Sequence, residues 1–140
     1  MRAVLDVNVI VSATLSRGGT PALLLRAWLE GAYELVVSPA LLEELHGVLD
    51  YPRIASCVTS SEAAELVNLL RRQAESIEDP RDGPTIRSSD PDDDYLISLA
   101  EAARAVIVSG DRHLLGLAEQ IPVYTPAQFL ALLPGQVTAP

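Results

Sequence analysis

The sequence predicts an α/β domain in three layers, with a central and mostly parallel sheet of about four to five strands between helices. Three observations carry this. Short runs rich in Val and Ile alternate with longer segments of helical period. Each run is apolar throughout, the pattern of a strand covered on both faces. A helix-opening signal, Ser or Thr followed by Pro, recurs at Thr20-Pro21, Ser38-Pro39 and Thr125-Pro126.

Taken in order, Ala3 to Val9 reads as the first strand, apolar and β-branched and interrupted by Asp6. The longer run Ala3 to Leu15 has the hydrophobicity of a signal peptide, but Asp6 and the lack of a small-residue cleavage site argue against one. Thr20-Pro21 caps and opens a helix over Ala22 to Glu30, which Gly31 stops. Leu35 to Val37 is the second strand. Ser38-Pro39 opens a helix through Leu49, ended by Tyr51-Pro52, and Ser60-Ser61 starts another that runs to about Glu75. Val106 to Val108 and Val123 to Tyr124 complete the strands. A helix begins near Arg112, and Thr125-Pro126 opens the last one, to Leu133. Residues 1–134 are expected to form a single domain, with 135–140 a flexible tail.

Composition narrows the function. With 140 residues, 49% of them hydrophobic, the chain can bury one core and is too short for two. The net charge of -9 opposes non-specific nucleic-acid binding through a broad basic surface. All 10 basic residues are Arg, which excludes Schiff-base lysines, the lysine-bearing phosphate loop and Ser-Lys dyads. Cys57 stands alone, so neither an intrachain disulfide nor a multi-cysteine zinc site can form, and a cytoplasmic protein is expected. His46 and His113 are too few for a zinc motif. The apolar stretch Ile121 to Leu133 is cut by Pro122 and Pro126 and is too short to span a bilayer. Glu75 to Asp94 holds eight acids against Arg81 and Arg87 and, with Pro80, Gly83, Pro84 and Pro91, reads as an acidic loop.

Four acids stand where solvated acids do not belong. Asp6 interrupts an apolar strand, and Asp111 follows the strand Val106 to Val108, so both lie where parallel sheets bind ligands. The plainer alternatives are a structural carboxylate for Asp6 and a helix cap for Asp111. Residues three or four apart share a helix face. Glu44 therefore borders the apolar stripe of Leu41, Leu45 and Val48, while Glu43 points away. Asp93 likewise projects onto the stripe of Leu96, Ile97, Ala100 and Ala103, whereas Asp94 falls opposite; capping with favourable dipole charge is the alternative for Asp93. Carboxylates brought together repel, and one or two Mg²⁺ or Mn²⁺ ions, which prefer oxygen ligands, would reconcile them. Such ions activate water for phosphodiester hydrolysis without a protein nucleophile.

Four blocks in order, Val4-Leu5-Asp6-Val7-Asn8-Val9-Ile10-Val11-Ser12-Ala13, Ser38-Pro39 through Glu44-Leu45, Asp90-Pro91-Asp92-Asp93-Asp94 and Ile107-Val108-Ser109-Gly110-Asp111, resemble the PIN domain. Within that family the chain looks like the toxin components of bacterial toxin-antitoxin systems, relatives of VapC-type ribonuclease toxins. The resemblance implies a three-layer PIN-like fold and an Mg²⁺- or Mn²⁺-dependent endoribonuclease whose catalytic and metal-holding acids fall on Asp6, Glu44, Asp93 and Asp111. It further implies that Asn8 and Ser109 order the pocket, Ser109 standing where the family often has Thr. Asp94 is carried as a supporting residue, although the Asp93 to Asp111 spacing fits the family better. Asp90 and Asp92 remain within reach of the pocket.

The expected partners are an RNA substrate, a cognate antitoxin that covers or fills the site, and a second copy in a homodimer, with no membrane. Arg17, Arg53 and Arg112 are nearest in sequence to the strand-end loops and are candidates for substrate phosphate. Leu23, Leu24, Trp28 and Leu69 are candidates for apolar contact surface, with core burial as the alternative. One Trp, one Phe and four Tyr leave no extended stacking platform for bases. The runner-up function is a PIN-like module that binds metal, RNA or protein without turnover. A haloacid-dehalogenase-like phosphatase is weaker, since it wants a second Asp where Asn8 stands and a Lys that the chain lacks.

Overall fold

In the computed structural model, residues 1–134 are described; the stretch 135–140, read above as a flexible tail, lies outside them. Strand β1 (Arg2–Leu5) is central. Five strands, β1, β2 (Glu34–Val37), β3 (Glu75–Ser76), β4 (Val106–Val108) and β5 (Val123–Tyr124), pair in the order β3-β2-β1-β4-β5, every pairing parallel. The register sets Ala3 beside both Leu35 and Val106, and Leu5 beside Val108. The chain moves outward from β1 through β2 to β3, then returns to β4 on the other side. The order therefore reverses between β1 and β4, and a crevice opens beyond their carboxyl ends.

Helices cover the sheet: α1 (Val7–Leu15), α2 (Thr20–Leu29), α3 (Pro39–Leu49), α4 (Pro52–Ala55), α5 (Ser60–Gln73), α6 (Asp94–Ala103), α7 (Arg112–Leu115) and α8 (Pro126–Leu132). Ala3, Val4, Leu5, Leu35, Val36, Val37, Ile107 and Val108 are all buried, as continuously apolar strands require. In α6, Leu96, Ile97, Ser98, Leu99, Ala100 and Ala103 are all buried, so the helix is enclosed nearly all round at its middle. Phe129 of α8 meets Tyr33 edge to face at 5.0 Å between ring centroids. Leu24 and Trp28 also belong to this core and offer no contact surface, while Leu23 and Leu69 are half-buried.

The first strand is shorter than the sequence suggests. β1 ends at Leu5, and Val7–Leu15 forms α1 instead of extending the strand to Val9. β-Branched residues disfavour helix by a few tenths of a kcal/mol each. Burial of Val7, Val9, Ile10 and Val11, at about 1.5–3 kcal/mol per side chain, outweighs that. Asp6 starts the helix by accepting the Asn8 N–H, at 3.3 Å.

Other boundaries shift by local chemistry. Gly19, not Thr20, stands at the start of α2, and Thr59 with Glu62 forms a reciprocal cap that starts α5 at Ser60. β3 lies where the sequence suggests a helix end. It is exposed and only two residues long, held by pairing with Val36 and Val37 and by an ion pair between Glu75 and Arg2. Ser38 caps α3, and Thr125 with Gln128 caps α8, as the Ser/Thr-Pro signals predict.

Candidate active site

Asp6 ends β1 and opens α1, so its carboxylate sits at the crevice. Its backbone N–H still donates to Val108 O at 2.9 Å, which locks the end of β1 to β4. The side chain is 7% exposed. One oxygen accepts from Asn8 N–H, and the other accepts the Ser109 hydroxyl at 2.7 Å. Burial raises the Asp6 carboxyl above its ordinary range, opposed by the Ser109 and Asn8 bonds and reinforced by the charge of Asp111.

Ser109 is fully buried, immediately after β4, and joins two acids. Its hydroxyl donates to Asp6 and accepts the Asp111 N–H at 2.9 Å. Asp111 in turn caps α7, accepting His113 N–H at 2.7 Å. Capping is thus real for Asp111, and it occupies one carboxylate oxygen.

Asp93 behaves otherwise. It precedes α6 at the end of a 3-10 turn, Pro91–Asp93, yet its side chain makes no capping bond. Its Oδ2 is buried without a hydrogen-bond partner among the described residues. Asp90 takes the local capping role, accepting Asp92 N–H at 3.0 Å. Burial, with the charges of Asp111, Asp90 and Asp6, pushes the Asp93 carboxyl up to about 6, and His113 counters in part. Asp6, Asp93 and Asp111 therefore share one electrostatic neighbourhood.

Glu44 and Asp94 lie apart from that trio. Glu44 is exposed on α3 and accepts a hydrogen bond from the Tyr95 hydroxyl. Burial and the bond to Glu44 raise the Tyr95 hydroxyl well above its ordinary value, and the charges of Asp6 and Asp93 add to this. Asp94 points elsewhere, pairing with Arg87 at 3.0 Å and accepting Ser88 N–H at 3.1 Å. It fastens the acidic loop.

Two neighbours of the acids escape the sequence reading. Tyr95 gives no signal except its place beside Asp93 and Asp94. His113 holds the Ser89 hydroxyl at 2.6 Å through Nδ1, and its only sequence mark is the spacing of two from Asp111. Arg17, Arg53 and Arg112 are all exposed.

The donors suit a hard divalent cation: carboxylate oxygens, one of them buried and unpartnered, with no thiolate nearby. As they stand, no three Asp, Glu, His or Cys side chains among the described residues are close enough to hold an ion. Asp93 and Asp111 are both half-buried.

Among known proteins, the profile of the PIN domain family matches residues 2–113. An uncharacterized protein of Methanocaldococcus jannaschii is 23% identical over 140 residues, covering 93% of this chain and 90% of its own length. The fold is similar to a chain in the crystal structure of VapBC2 from Rickettsia felis bound to a DNA fragment from their promoter. That likeness has a TM-score of 0.57 at 16% identity, over 89% of this chain and 97% of the other. A domain of a functionally unknown protein from Methanocaldococcus jannaschii gives a TM-score of 0.52 at 15% identity, over 99% and 96%.

Proposed function

The chain belongs to the PIN domain family, and from that premise we propose that it is an Mg²⁺- or Mn²⁺-dependent endoribonuclease, the toxin of a bacterial toxin-antitoxin pair. The observation that carries this reading is the unpartnered, buried Oδ2 of Asp93 beside Asp6 and Asp111. A carboxylate oxygen buried without a hydrogen-bond partner is destabilising unless a cation joins it. The likeness in fold to a chain of the VapBC2 complex supports the toxin reading, with a cognate antitoxin as partner; a homodimer is part of the same proposal.

Asp6, Asp93 and Asp111 would hold the cation, which supplies Lewis-acid chemistry, acidifying water and neutralising charge that develops on the phosphate. The protein's own part is orientation. Asn8 N–H and the Ser109 hydroxyl fix Asp6 in one rotamer, and Ser109 ties the backbone of Asp111 to the same carboxylate. The Tyr95 hydroxyl fixes one oxygen of Glu44, which leaves this rim carboxylate oriented to accept a proton from water. The buried floor of β1 and β4 excludes bulk solvent from beneath the acids.

The test is cleavage of a mixed pool of structured RNAs with Mn²⁺, Mg²⁺ or EDTA, beside Asp6→Asn and Asp93→Asn. Metal-dependent cutting that both substitutions abolish supports the enzyme. A second reading, a metal- or RNA-binding module without turnover, is favoured by the spread of the acids as they stand. It gains if Mn²⁺ binds and neither RNA nor single-stranded DNA is cut.

A further inference from the structure

Asp6 and Asp111 themselves line a cleft beside α1. It measures about 330 Å³ and lies between α1, the start of α2, the turn after β4 and the start of α8. Beyond the two acids it is lined by Asn8, Val9 and Ser12 of α1, Pro21, Gly110 and Pro126. Asn8 and Ser12 are four residues apart, hence one turn apart on the same helix face, and both are exposed. The Asn8 backbone is spent on Asp6, but its side-chain amide makes no hydrogen bond among the described residues. A polar strip thus faces the apolar ring edges of two prolines.

The lining selects its ligand by chemistry. No cationic side chain is among the lining residues, and the two carboxylates repel a free phosphate. A carboxamide with adjacent donor and acceptor, with a hydroxyl one turn away, matches the edge of a nucleobase. At the small end of ligand pockets, about 300–1,000 Å³, the cleft takes one nucleoside and no duplex. We propose that it is a nucleoside subsite, holding the base and ribose next to the scissile phosphate, with Asn8 and Ser12 reading the base edge. The choice of a nucleoside as occupant rests on the nuclease reading above. Sequence preference in cleavage would then come from this strip, which accounts for a chain without a stacking platform.

The experiment uses the four ribonucleosides, uncharged and without metal, titrated into isotopically labelled protein and followed by amide NMR. At least one should shift the Asn8, Ser12 and Gly110 signals saturably. Ser12→Ala should weaken that binding about fivefold, the loss of one neutral hydrogen bond. Ser12→Leu, at an exposed residue of the cleft wall, should fill the cleft and abolish binding. Gly110→Ala gives a second probe: beyond its own chain neighbours a Cβ there meets no atom within 4 Å, so the methyl narrows the cleft. No saturable shift with any nucleoside, or shifts that survive Ser12→Leu, overturns the proposal. Binding at the cleft by a protein that cuts no RNA would uphold the subsite and sink only the nuclease reading. Metal-dependent cutting with no nucleoside bound at the cleft would do the reverse.

Discussion

Replacing Asp93 by Asn should stabilise the metal-free protein at neutral pH while removing its response to divalent cation. Burial and the charges of Asp111, Asp90 and Asp6 raise this carboxyl from 3.8 to about 6. At about 1.36 kcal/mol per pH unit, keeping it ionised at neutral pH costs about 3 kcal/mol. Asp93 is only half-buried, and solvent screening reduces that to about 1–2 kcal/mol. The folded-state value lies above the unfolded one, so the group's favourable contribution is complete below about pH 4 and is lost as the pH rises through about 6. Asn does not titrate. In EDTA, melting curves of the two proteins should meet near about pH 4 and separate above about pH 6, the variant melting about 3–8 °C higher. Added Mn²⁺ should raise the melting temperature of the unsubstituted protein in proportion to RT ln(1 + [Mn²⁺]/Kd) and leave the variant nearly unmoved. Circular dichroism melts at a series of pH values read both effects. A variant that melts lower at neutral pH, or a gap that does not change with pH, would refute the reasoning.

Ser109→Ala should cost about 1–3 kcal/mol in urea denaturation, because it leaves a buried Asp6 oxygen and the Asp111 N–H without their partner. The same change should weaken Mn²⁺ binding about 10–100-fold in calorimetry, as loss of an outer-shell partner does elsewhere. Asp94→Asn should lower stability by less than about 1 kcal/mol, the worth of its partly exposed pair with Arg87, and leave RNA cleavage nearly unchanged in a rate assay. Tyr95→Phe should reduce cleavage about tenfold by freeing Glu44, with Mn²⁺ affinity held, since the hydroxyl contacts none of the other three acids.

Much of the fold is legible because its signals are local. The caps at Ser38 and Thr125 and the strands at 35–37, 106–108 and 123–124 follow from pattern alone. The strand expected to run to Val9 fails because a largely buried helix and a buried strand both read as a mostly apolar run over so few residues. Two signals favour the helix: Asp6 two residues before Asn8, a helix start, and the exposed polar pair Asn8 and Ser12 at helical spacing. β3 carries no pattern because two exposed residues need none; its pairing with β2 is non-local.

The site divides the same way. Helical projection separates Asp93 from Asp94, since neighbours lie about 100° apart, and the structure sends Asp94 to Arg87 and Ser88. The strand-end rule places Asp6 and Asp111 together. Contacts between distant segments, Tyr95 with Glu44 and Ser89 with His113, depend on how α3, α6 and the acidic loop pack, and no single-segment rule reaches them.

The central claim is that Asp6, Asp93 and Asp111 form a divalent-cation site in which Asp94 has no part. Calorimetric titration of Mn²⁺ into the protein beside Asp93→Asn and Asp94→Asn tests it most directly. The account predicts binding that Asp93→Asn abolishes and Asp94→Asn preserves. Binding that survives Asp93→Asn, or no binding at all, would contradict it.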